Sequence, residues 1–363
     1  MRILYVTTIG GTMNFFKSFI RQLLDEGHKV DIATNEEETP VADCYREWGC
    51  NVYQIETSRS PLNSGNIRAI KQLQTIVSKE EYDIVHCHTP VAAMCTRLAC
   101  RKVRKTGTKV FYTAHGFHFY KGAPLKNWLL FYPVEKVCAY FTDVLITINK
   151  EDYALAQKKL KAKRVAYVPG VGIDLESFSQ STQTADKRKE LNIPEDAKLL
   201  VSVGELNENK NHTTVICAVA QLENAYYIIA GEGGLRDQLQ DLIDSLQISD
   251  RVRLLGYRND VGELYKAADA FVFPSFREGL SVALMEAMAS GLPCAVSEIR
   301  GNTDLIDTNG GVHFSPYSVE DCQSAIKQLL VSDLEGMCEY NAKKIFGFSQ
   351  NTVLTAMREL YGV

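Results

Sequence analysis

The chain contains 363 residues, of which 45% are hydrophobic and 23% charged, a composition typical of a soluble globular protein of two domains. It has no run of 18 or more apolar residues and no Cys-x-x-Cys pair among its ten cysteines, which argues against a transmembrane helix and against a zinc or disulfide framework. The first residues follow the pattern of a strand and not of a signal peptide, so we expect a cytoplasmic protein with reduced thiols.

Charge is divided unevenly along the chain. Residues 1–170 carry 24 Lys and Arg against 16 Asp and Glu, whereas residues 171–363 carry 16 against 28. The densest basic run has no acid between residues 90 and 109 and contains Arg97, Arg101, Lys102, Arg104, Lys105 and Lys109. This run predicts either a solvated helix face or a surface that attracts an anionic membrane or a phosphorylated acceptor. Nucleic acid is a poorer partner because the whole chain has a net charge of −4.

Apolar, β-branched runs alternate with helical segments over the whole chain. The first series predicts strands at residues 2–8, 29–34, 83–87, 109–113, 143–148 and 165–168. After a polar, weakly structured stretch at about 175–196, a second series predicts strands at 198–203, 225–230, 252–255, 270–274 and 293–296. Strands that alternate with helices form parallel sheets of βαβ units. We therefore predict an α/β protein of two doubly wound domains. The predicted linker between them includes a Ser/Thr/Gln/Asp run at 179–187.

Glycines follow several predicted strands. Gly10 and Gly11 lie between the first strand and the first helix, where backbone N–H groups can approach a phosphate. The turn is not a complete G-x-G-x-x-G fingerprint, and turn glycines without a ligand are the alternative. Residues 231–234 (Gly-Glu-Gly-Gly) repeat this arrangement in the second series and are a weak signal by themselves.

Four histidines close two strands of the first series, with His86 and His88 at one strand end and His115 and His118 at the next. His-x-His at a strand end also occurs in metal-dependent hydrolases, which makes a hydrolase an alternative function. The sequence shows no further set of carboxylate ligands, and two βαβ series do not predict an eight-stranded barrel. A polar lining of the cleft and a structural role are the other two interpretations.

Two carboxylates flank a predicted strand-to-helix junction in the second series. Glu278 lies in the loop after the strand at 270–274, and Glu286 lies in an otherwise apolar helix at about 281–290. A lone carboxylate on an apolar helix is costly to bury unless something donates a hydrogen bond to it. We expect both to face the crevice at the carboxyl end of a parallel sheet, where open α/β folds bind ligands. Lys210, in the loop after an earlier strand, could reach a phosphate there, and a solvated lysine is the alternative.

These features resemble the retaining glycosyltransferases of family 4, which have the GT-B fold, and the resemblance covers essentially the whole chain. The most specific match is Glu278-x7-Glu286 followed by residues 287–294, which resemble the family's E-A-M-A-x-G-x-P-V segment. Shorter matches lie at residues 230–233, 255–257, 267–269 and 274–275. Residues 86–90 and 113–118 are similar to the branch that builds exopolysaccharide, capsule or related bacterial surface glycans on lipid carriers.

The resemblance implies a Rossmann-like acceptor domain at 1–172 and a Rossmann-like donor domain at 190–349, with a deep cleft between them and a terminal helix at about 350–363 on the first domain. The implied donor is a nucleoside diphosphate sugar, with UDP the expected nucleotide and hexose or N-acetylhexosamine the sugar. The implied acceptor is a polyprenyl-diphosphate-linked saccharide at the inner face of the cell membrane. The basic first domain fits such a peripheral location, in which membrane binding weakens with salt.

The resemblance also assigns roles to individual residues. Those placed at the donor are Gly11, Gly204, Glu205, Lys210, Tyr257, Arg258, Glu278, Gly279, Leu280, Ser281 and Glu286. The implied catalytic residues are Glu278, which binds sugar hydroxyls, His115, which lines the sugar pocket, and Lys210, which neutralises the leaving diphosphate. Glu286 would bind the ribose hydroxyls, and the backbone at residues 279–281 would hold diphosphate oxygens. Acceptor-side candidates are His88, His118, Arg97 and Arg101.

One position departs from the family pattern. Many relatives carry arginine where this chain has Glu205, so either Glu205 turns away or Arg277 or Arg300 supplies the missing charge. No Asp-x-Asp motif is placed to hold a metal and no residue is arranged as an activated nucleophile. We therefore expect transfer on one face of the sugar without metal or cofactor. A metal-dependent hydrolase and a non-catalytic nucleotide-sugar binding protein are the alternatives.

Overall fold

The computed structural model describes residues 1–61, 63–179, 184–332 and 334–363. They divide into two compact units. The first comprises Met1–Val171 together with Leu354–Val363, and the second comprises Gly172–Val353. Each unit is built on one parallel sheet with helices packed on it.

The sheet of the first unit has seven strands. They are β1 (Arg2–Ile9), β2 (Lys29–Asn35), β3 (Val52–Gln54), β4 (Ile84–His88), β5 (Lys109–Ala114), β6 (Val144–Thr147) and β7 (Arg164–Tyr167). The order is β3-β2-β1-β4-β5-β6-β7, and all neighbouring pairs are parallel. Strand β1 is buried on both faces over six consecutive residues, as expected for a strand covered by helices on each side. The order reverses between β1 and β4.

The helices of residues 1–171 pack on this sheet. They are α1 (Lys17–Asp25), α2 (Cys44–Glu47), α3 (Gly65–Lys79), α4 (Pro90–Ala99), α5 (Leu125–Ala139) and α6 (Lys150–Lys159), with 3₁₀ turns at Gly10–Phe16 and Val103–Thr106. Helix α4 begins at a proline, whose missing N–H has no intrahelical partner at that position in any case. Helix α6 begins after Asn149, whose side chain accepts a hydrogen bond from the backbone N–H of Asp152.

The sheet of the second unit has six strands. They are β8 (Lys198–Val203), β9 (Ala225–Ala230), β10 (Val252–Gly256), β11 (Ala270–Phe273), β12 (Cys294–Ser297) and β13 (Gly311–Phe314). The order is β10-β9-β8-β11-β12-β13, and every neighbouring pair is parallel. The order of this sheet reverses between β8 and β11.

The helices from residue 172 onward complete the chain. They are α7 (Glu176–Ser179), α8 (Thr184–Glu190), α9 (His212–Ala220), α10 (Arg236–Ser245), α11 (Val261–Ala267), α12 (Val282–Ala289), α13 (Asn302–Leu305), α14 (Val319–Val331), α15 (Leu334–Lys344) and α16 (Gln350–Tyr361). In the first unit, Tyr361 at the end of α16 places its hydroxyl 3.0 Å from that of Tyr5 and 2.6 Å from Nδ1 of His86. These contacts fasten the chain terminus to strands β1 and β4.

The predicted α/β class is confirmed, and each predicted strand has an observed counterpart. Strands β3 and β13 were not predicted from the sequence. The expectation of a weakly structured stretch at 175–196 is wrong in part, because helices α7 and α8 lie there. Lys187 on α8 is buried and forms ion pairs with Asp260 (2.7 Å) and Glu263 (2.9 Å). Residues 180–183 of the predicted linker lie outside the described residues.

Candidate active site

The second sheet brings two loops together at the point where its strand order reverses. Strands β8 and β11 are neighbours there, and a reversal of this kind opens a crevice at the carboxyl edge of a parallel sheet. The loop after β8 carries Lys210 and the loop after β11 carries Glu278, so residues 68 positions apart meet at this edge. The structure thus brings together the two charged residues that the sequence singled out.

Lys210 is held by several contacts. Its Nζ lies 2.8 Å from Oε1 of Glu278 and 4.7 Å from the ring centroid of Phe273. Its backbone N–H donates to the side chain of Asn207, which caps a short 3₁₀ helix. Gly204 leaves room for the lysine stem, since a Cβ at that position would lie 3.3 Å from the lysine Cε. The result is an ordered, mostly buried cation that can stabilise negative charge without reorganising.

Residues 279–281 lead into α12 and place the amino end of that helix beside the ion pair. The Ser281 hydroxyl accepts a hydrogen bond from the backbone N–H of Leu284 at 3.3 Å and so caps the helix. Gly301 has φ +79°, and a Cβ there would lie 2.4 Å from the carbonyl oxygen of Gly279. Only glycine allows this approach, which fixes the course of the loop. Backbone N–H groups at a helix start favour an anion.

Glu286 lies on α12, half-buried on an otherwise apolar helix. Its Oε2 accepts a hydrogen bond from the hydroxyl of Tyr265 at 3.1 Å. Burial raises the pKa of Glu286, and the bond from Tyr265 opposes that rise. Tyr265 is the hydrogen-bond donor that the lone carboxylate requires. Sequence reasoning missed it, because Tyr265 lies on a different helix and its own pattern is that of an ordinary core tyrosine.

Other predicted donor-side residues have mixed environments. Glu205 is exposed and Arg300 is buried. The Arg258 guanidinium is engaged within its own unit by Asp260 (2.7 Å) and by Glu190 (3.1 Å). Tyr257 is 78% exposed at the end of β10, which leaves its ring free to contact a planar ligand.

The glycines at 231–234 have a packing role that their sequence pattern left undecided. Gly231 has φ +154°, and a Cβ there would lie 1.8 Å from the carbonyl oxygen of Gly204. Its N–H donates to the carbonyl of Gly256 at 2.8 Å. The turn after β9 therefore closes directly over the loop that leads to Lys210.

Gly10 and Gly11 begin the 3₁₀ turn that follows β1 in the first unit. Gly10 donates its N–H to the carbonyl of Thr39 at 3.0 Å, and a Cβ on Gly10 would lie 2.4 Å from that oxygen. Gly10 is thus explained by close packing. Gly11 is partly exposed, so its predicted contact with phosphate stays a prediction.

A cavity of about 390 Å³ opens beside the carboxyl ends of β1 and β4 in the first unit. Thr8, Thr89, His118 and Phe131 are among the residues that line it. Thr89 has φ +63°, which is uncommon for a β-branched residue and is typical of positions that surround a binding site. Among the acceptor-side candidates, His118 therefore faces a cavity, and its ring stacks on Phe131 with 4.4 Å between centroids.

The other histidines form a largely buried cluster under this edge. His86 contacts Tyr361 through Nδ1 and the Thr113 hydroxyl through Nε2 at 2.8 Å, so both ring nitrogens have partners. Nδ1 of His88 lies 3.1 Å from Nε2 of His115. Burial lowers the pKa of His86 to about 3 and that of His115 to about 4. These rings are therefore neutral at physiological pH.

The prediction that Arg97 belongs to a solvated or acceptor-facing surface is wrong. Its side chain is fully buried and makes two hydrogen bonds to the carboxylate of Glu135, at 2.8 and 3.0 Å. A charge this deep is stable only when paired, so Arg97 fastens α4 to α5. Arg101, in contrast, is exposed and lies over the ring of Phe141 at 5.5 Å.

Comparison with known proteins decides the family. Residues 9–177 match the family described as Glycosyltransferase Family 4, and residues 183–345 match the family described as Glycosyl transferases group 1. Over 314 residues, 84% of this chain and 81% of the relative, the chain is 38% identical to the protein of Bacillus subtilis named "Putative glycosyltransferase EpsD". This chain is a family 4 glycosyltransferase.

Further relatives of this glycosyltransferase agree in sequence and in fold. It is 33% identical, over 66% of each chain, to the UDP-Gal:alpha-D-GlcNAc-diphosphoundecaprenol alpha-1,3-galactosyltransferase of Escherichia coli. Its structure resembles that of HepE from Anabaena in complex with UDP, with a TM-score of 0.82 and 18% identity over 100% of both chains. The two Rossmann-like units and these structural relatives confirm the GT-B fold class.

Family membership decides against the hydrolase alternative. The four histidines do not form a metal site with one another, and no group of three or more His, Cys, Asp or Glu side chains in the described ranges is arranged to share an ion. The described part of the glycosyltransferase also contains no helix that combines the length and the apolar character needed to cross a membrane. Besides Tyr265, sequence reasoning missed Gly301, which a search for glycines between strand and helix would have found.

Proposed function

We propose that this enzyme is a retaining glycosyltransferase that moves a hexosyl or N-acetylhexosaminyl group from UDP to a hydroxyl of a lipid-linked saccharide in bacterial surface glycan synthesis. The observation that carries the proposal is the Lys210–Glu278 pair at the amino end of α12, with Glu286 farther along the same helix. The loop after β11 and helix α12 together thereby present an anion site and two carboxylates at the sheet edge where ligands bind.

The donor half of the proposal follows from charge and hydrogen bonding. A diphosphate fits the helix start and the ammonium of Lys210, which are two sources of positive potential at one place. The Glu286 carboxylate can accept hydrogen bonds from a ribose diol, and Glu278 can do the same for hydroxyls of the transferred sugar. UDP is the nucleotide we propose, because the galactosyltransferase relative is named for a UDP donor and HepE is titled as a complex with UDP.

The proposed chemistry uses the leaving group as the base. The bond from the anomeric carbon to the β-phosphate oxygen breaks, and its electron pair goes to the diphosphate beside Lys210. The acceptor hydroxyl then bonds to the same face of the anomeric carbon, and its proton passes to a phosphate oxygen. Glu278 is committed to Lys210 at 2.8 Å, which suits it to positioning the sugar better than to covalent attack. The protein contributes position and electrostatic stabilisation, and we expect no metal requirement.

The acceptor half rests on the first unit. Its cavity beside Thr89 and His118 is large enough for a sugar, and the basic composition of residues 1–170 suits an anionic diphosphate and an anionic membrane face. The E. coli relative is named for a diphosphoundecaprenol substrate. We therefore propose a polyprenyl-diphosphate-linked saccharide as acceptor and a peripheral position at the cytoplasmic face of the membrane.

Binding of nucleotides tests the donor site first. Calorimetry in EDTA should show micromolar affinity for UDP and weaker affinity for GDP and ADP. Glu286→Ala should abolish that binding, whereas Glu320→Ala, which removes an exposed acid at the start of α14, should leave it unchanged. Equal loss of UDP binding in both variants, or UDP binding that needs added metal, would contradict the assignment.

Turnover tests the reaction itself. Incubation of a UDP-sugar with a polyprenyl-diphosphate-linked saccharide in EDTA should yield UDP and a product with the donor's anomeric configuration, read by nuclear magnetic resonance. An inverted product would refute the retaining mechanism. If the protein binds the UDP-sugar but leaves it intact with every acceptor tried, the result would favour a non-catalytic nucleotide-sugar binding protein.

A further inference from the structure

Helix α5 carries an unusual outer face. Leu125 is 73% exposed and Leu129 is 70% exposed. Four more large apolar side chains are exposed on the same helix or directly after it, namely Leu130, Val134, Val137 and Tyr140. Most of these residues are three or four positions apart, which places them along one side of the helix as an outer stripe.

The inner face of α5 is apolar as well. Trp128, Phe131 and Tyr132 pack against the core of the first unit. A helix at the surface of a soluble domain normally alternates one apolar stripe with a polar face. The outer face of α5 is instead mostly apolar, so its outer stripe is a patch of the kind that marks an interaction surface.

The charges around α5 restrict what the stripe can contact. The exposed charged side chains on the helix are Lys126 and Lys136, and Lys121 precedes it. The one acid between residues 119 and 142 is Glu135, and Arg97 neutralises it inside the protein. The surface of α5 is therefore apolar and cationic, which matches a bilayer that contains anionic lipids.

The length of α5 selects a position parallel to the membrane. Its 15 residues span about 22 Å, which is less than the roughly 30 Å of a bilayer core. A helix of this length with exposed lysines among its apolar residues lies in the interface, with its leucines at the boundary of the acyl chains and its ammonium groups at the head groups.

Helix α5 also borders the cavity of the first unit. Phe131, on the side opposite the exposed stripe, lines the cavity together with Thr89 and His118. A membrane held against the outer stripe would thus lie one helix diameter, about 10 Å, from the cavity. That distance suits a substrate whose lipid stays in the bilayer while its polar head enters the protein.

We propose that the outer stripe of α5 docks this enzyme on the surface of an anionic bilayer. The proposal deepens the function proposed above by naming the membrane-binding element for its lipid-linked acceptor. It places the apolar contact on α5, whereas the basic run that the sequence singled out would act at longer range through Arg101 and its neighbours.

Vesicle sedimentation with the full chain tests the proposal. Wild-type protein should sediment with vesicles that contain about one-third phosphatidylglycerol and at least tenfold less with pure phosphatidylcholine. The double variant Leu125→Ser/Leu129→Ser should bind the anionic vesicles at least tenfold more weakly at every salt concentration. The matched control is Ile67→Ser/Val331→Ser, which removes two exposed apolar residues from other helices and should bind like wild type.

The two lysines provide a second, separable readout. Lys126→Gln/Lys136→Gln should weaken binding to anionic vesicles and flatten its salt dependence, while the leucine pair still supports the residual binding. Unchanged vesicle binding in the leucine variant, or absence of binding in the wild type, would overturn the proposal. If the wild type forms a concentration-dependent dimer, and the leucine variant is monomeric with unchanged vesicle binding, the stripe contacts a second copy of this chain instead.

UDP binding distinguishes this proposal from the proposed function. The leucine variant should bind UDP with wild-type affinity, because α5 belongs to the other unit. If the wild type binds vesicles through α5 but neither binds UDP nor transfers sugar, the docking surface stands and the proposed function fails. If transfer to a detergent-solubilised acceptor succeeds without vesicle binding, the docking proposal fails alone.

Discussion

Replacement of Glu278 by glutamine should separate nucleotide binding from catalysis. In the structure, Oε1 of Glu278 occupies one hydrogen-bonding position of the Lys210 ammonium at 2.8 Å. A diphosphate oxygen that binds the same ammonium must take a neighbouring position and therefore meets a like charge. Glu278→Gln keeps the shape of the side chain and removes that charge, so it should improve binding of UDP, which carries no sugar.

The magnitude follows from the geometry of the ammonium. Two oxygens each 2.8 Å from a tetrahedral nitrogen lie about 4.6 Å apart. Two unit charges at about 4.6 Å repel by about 0.9 kcal/mol in water and about 3.6 kcal/mol at an effective dielectric constant of about 20. The Lys210 and Glu278 side chains are only 19% and 14% exposed, so the repulsion in water, about 1 kcal/mol, is the minimum for this site. This corresponds to at least about fivefold tighter UDP binding.

The same substitution should slow transfer. Glutamine replaces one accepting oxygen of the carboxylate with a donor and removes the charge that strengthens hydrogen bonds from the sugar hydroxyls, so kcat should fall by at least about tenfold with either UDP-sugar tested. The assay pairs UDP calorimetry with initial rates of UDP release. Glu208→Gln, which neutralises an exposed acid on the 3₁₀ turn that carries Lys210, is the matched control and should change neither quantity. Weaker UDP binding in Glu278→Gln, or normal kcat, would refute the role assigned to this pair.

Three further outcomes are expected. Affinity for a UDP-sugar should fall by up to about tenfold per pH unit below the raised pKa of Glu286, because protonation removes the carboxylate that accepts the ribose hydroxyls. In calorimetry, Glu286→Gln should bind the UDP-sugar weakly at every pH. Arg97→Met should destabilise the first unit by about 3–5 kcal/mol, because it leaves the buried Glu135 carboxylate unpaired. The double variant Arg97→Met/Glu135→Leu should regain most of that stability in thermal melting. Tyr361→Phe should lower the free energy of unfolding by about 1–3 kcal/mol, because buried Nδ1 of His86 loses its hydrogen-bond partner at 2.6 Å. An unchanged midpoint of denaturant unfolding would contradict this.

Much of the fold and part of the site are local properties of the sequence. Continuous apolar runs give strands buried on both faces, and their alternation with helices leaves parallel sheets as the solution. A crevice at the carboxyl ends of the strands follows from that architecture, so the loops after the strands could be assigned to it from the sequence alone. Lys210, Glu278 and Glu286 were found in this way, because each is a charged residue at a strand end or on an apolar helix.

The tertiary structure alone decided which partners these residues have. The basic run at residues 97–109 gives no sign that Arg97 turns inward, because the outcome depends on Glu135, which is 38 residues away. Tyr265 and Glu286 are 21 residues apart, and His86 and Tyr361 are 275 apart. Sequence periodicity reports burial along one element at a time, whereas a hydrogen bond or an ion pair depends on how two elements pack. For the same reason, only the packed first unit shows that one face of α5 is open.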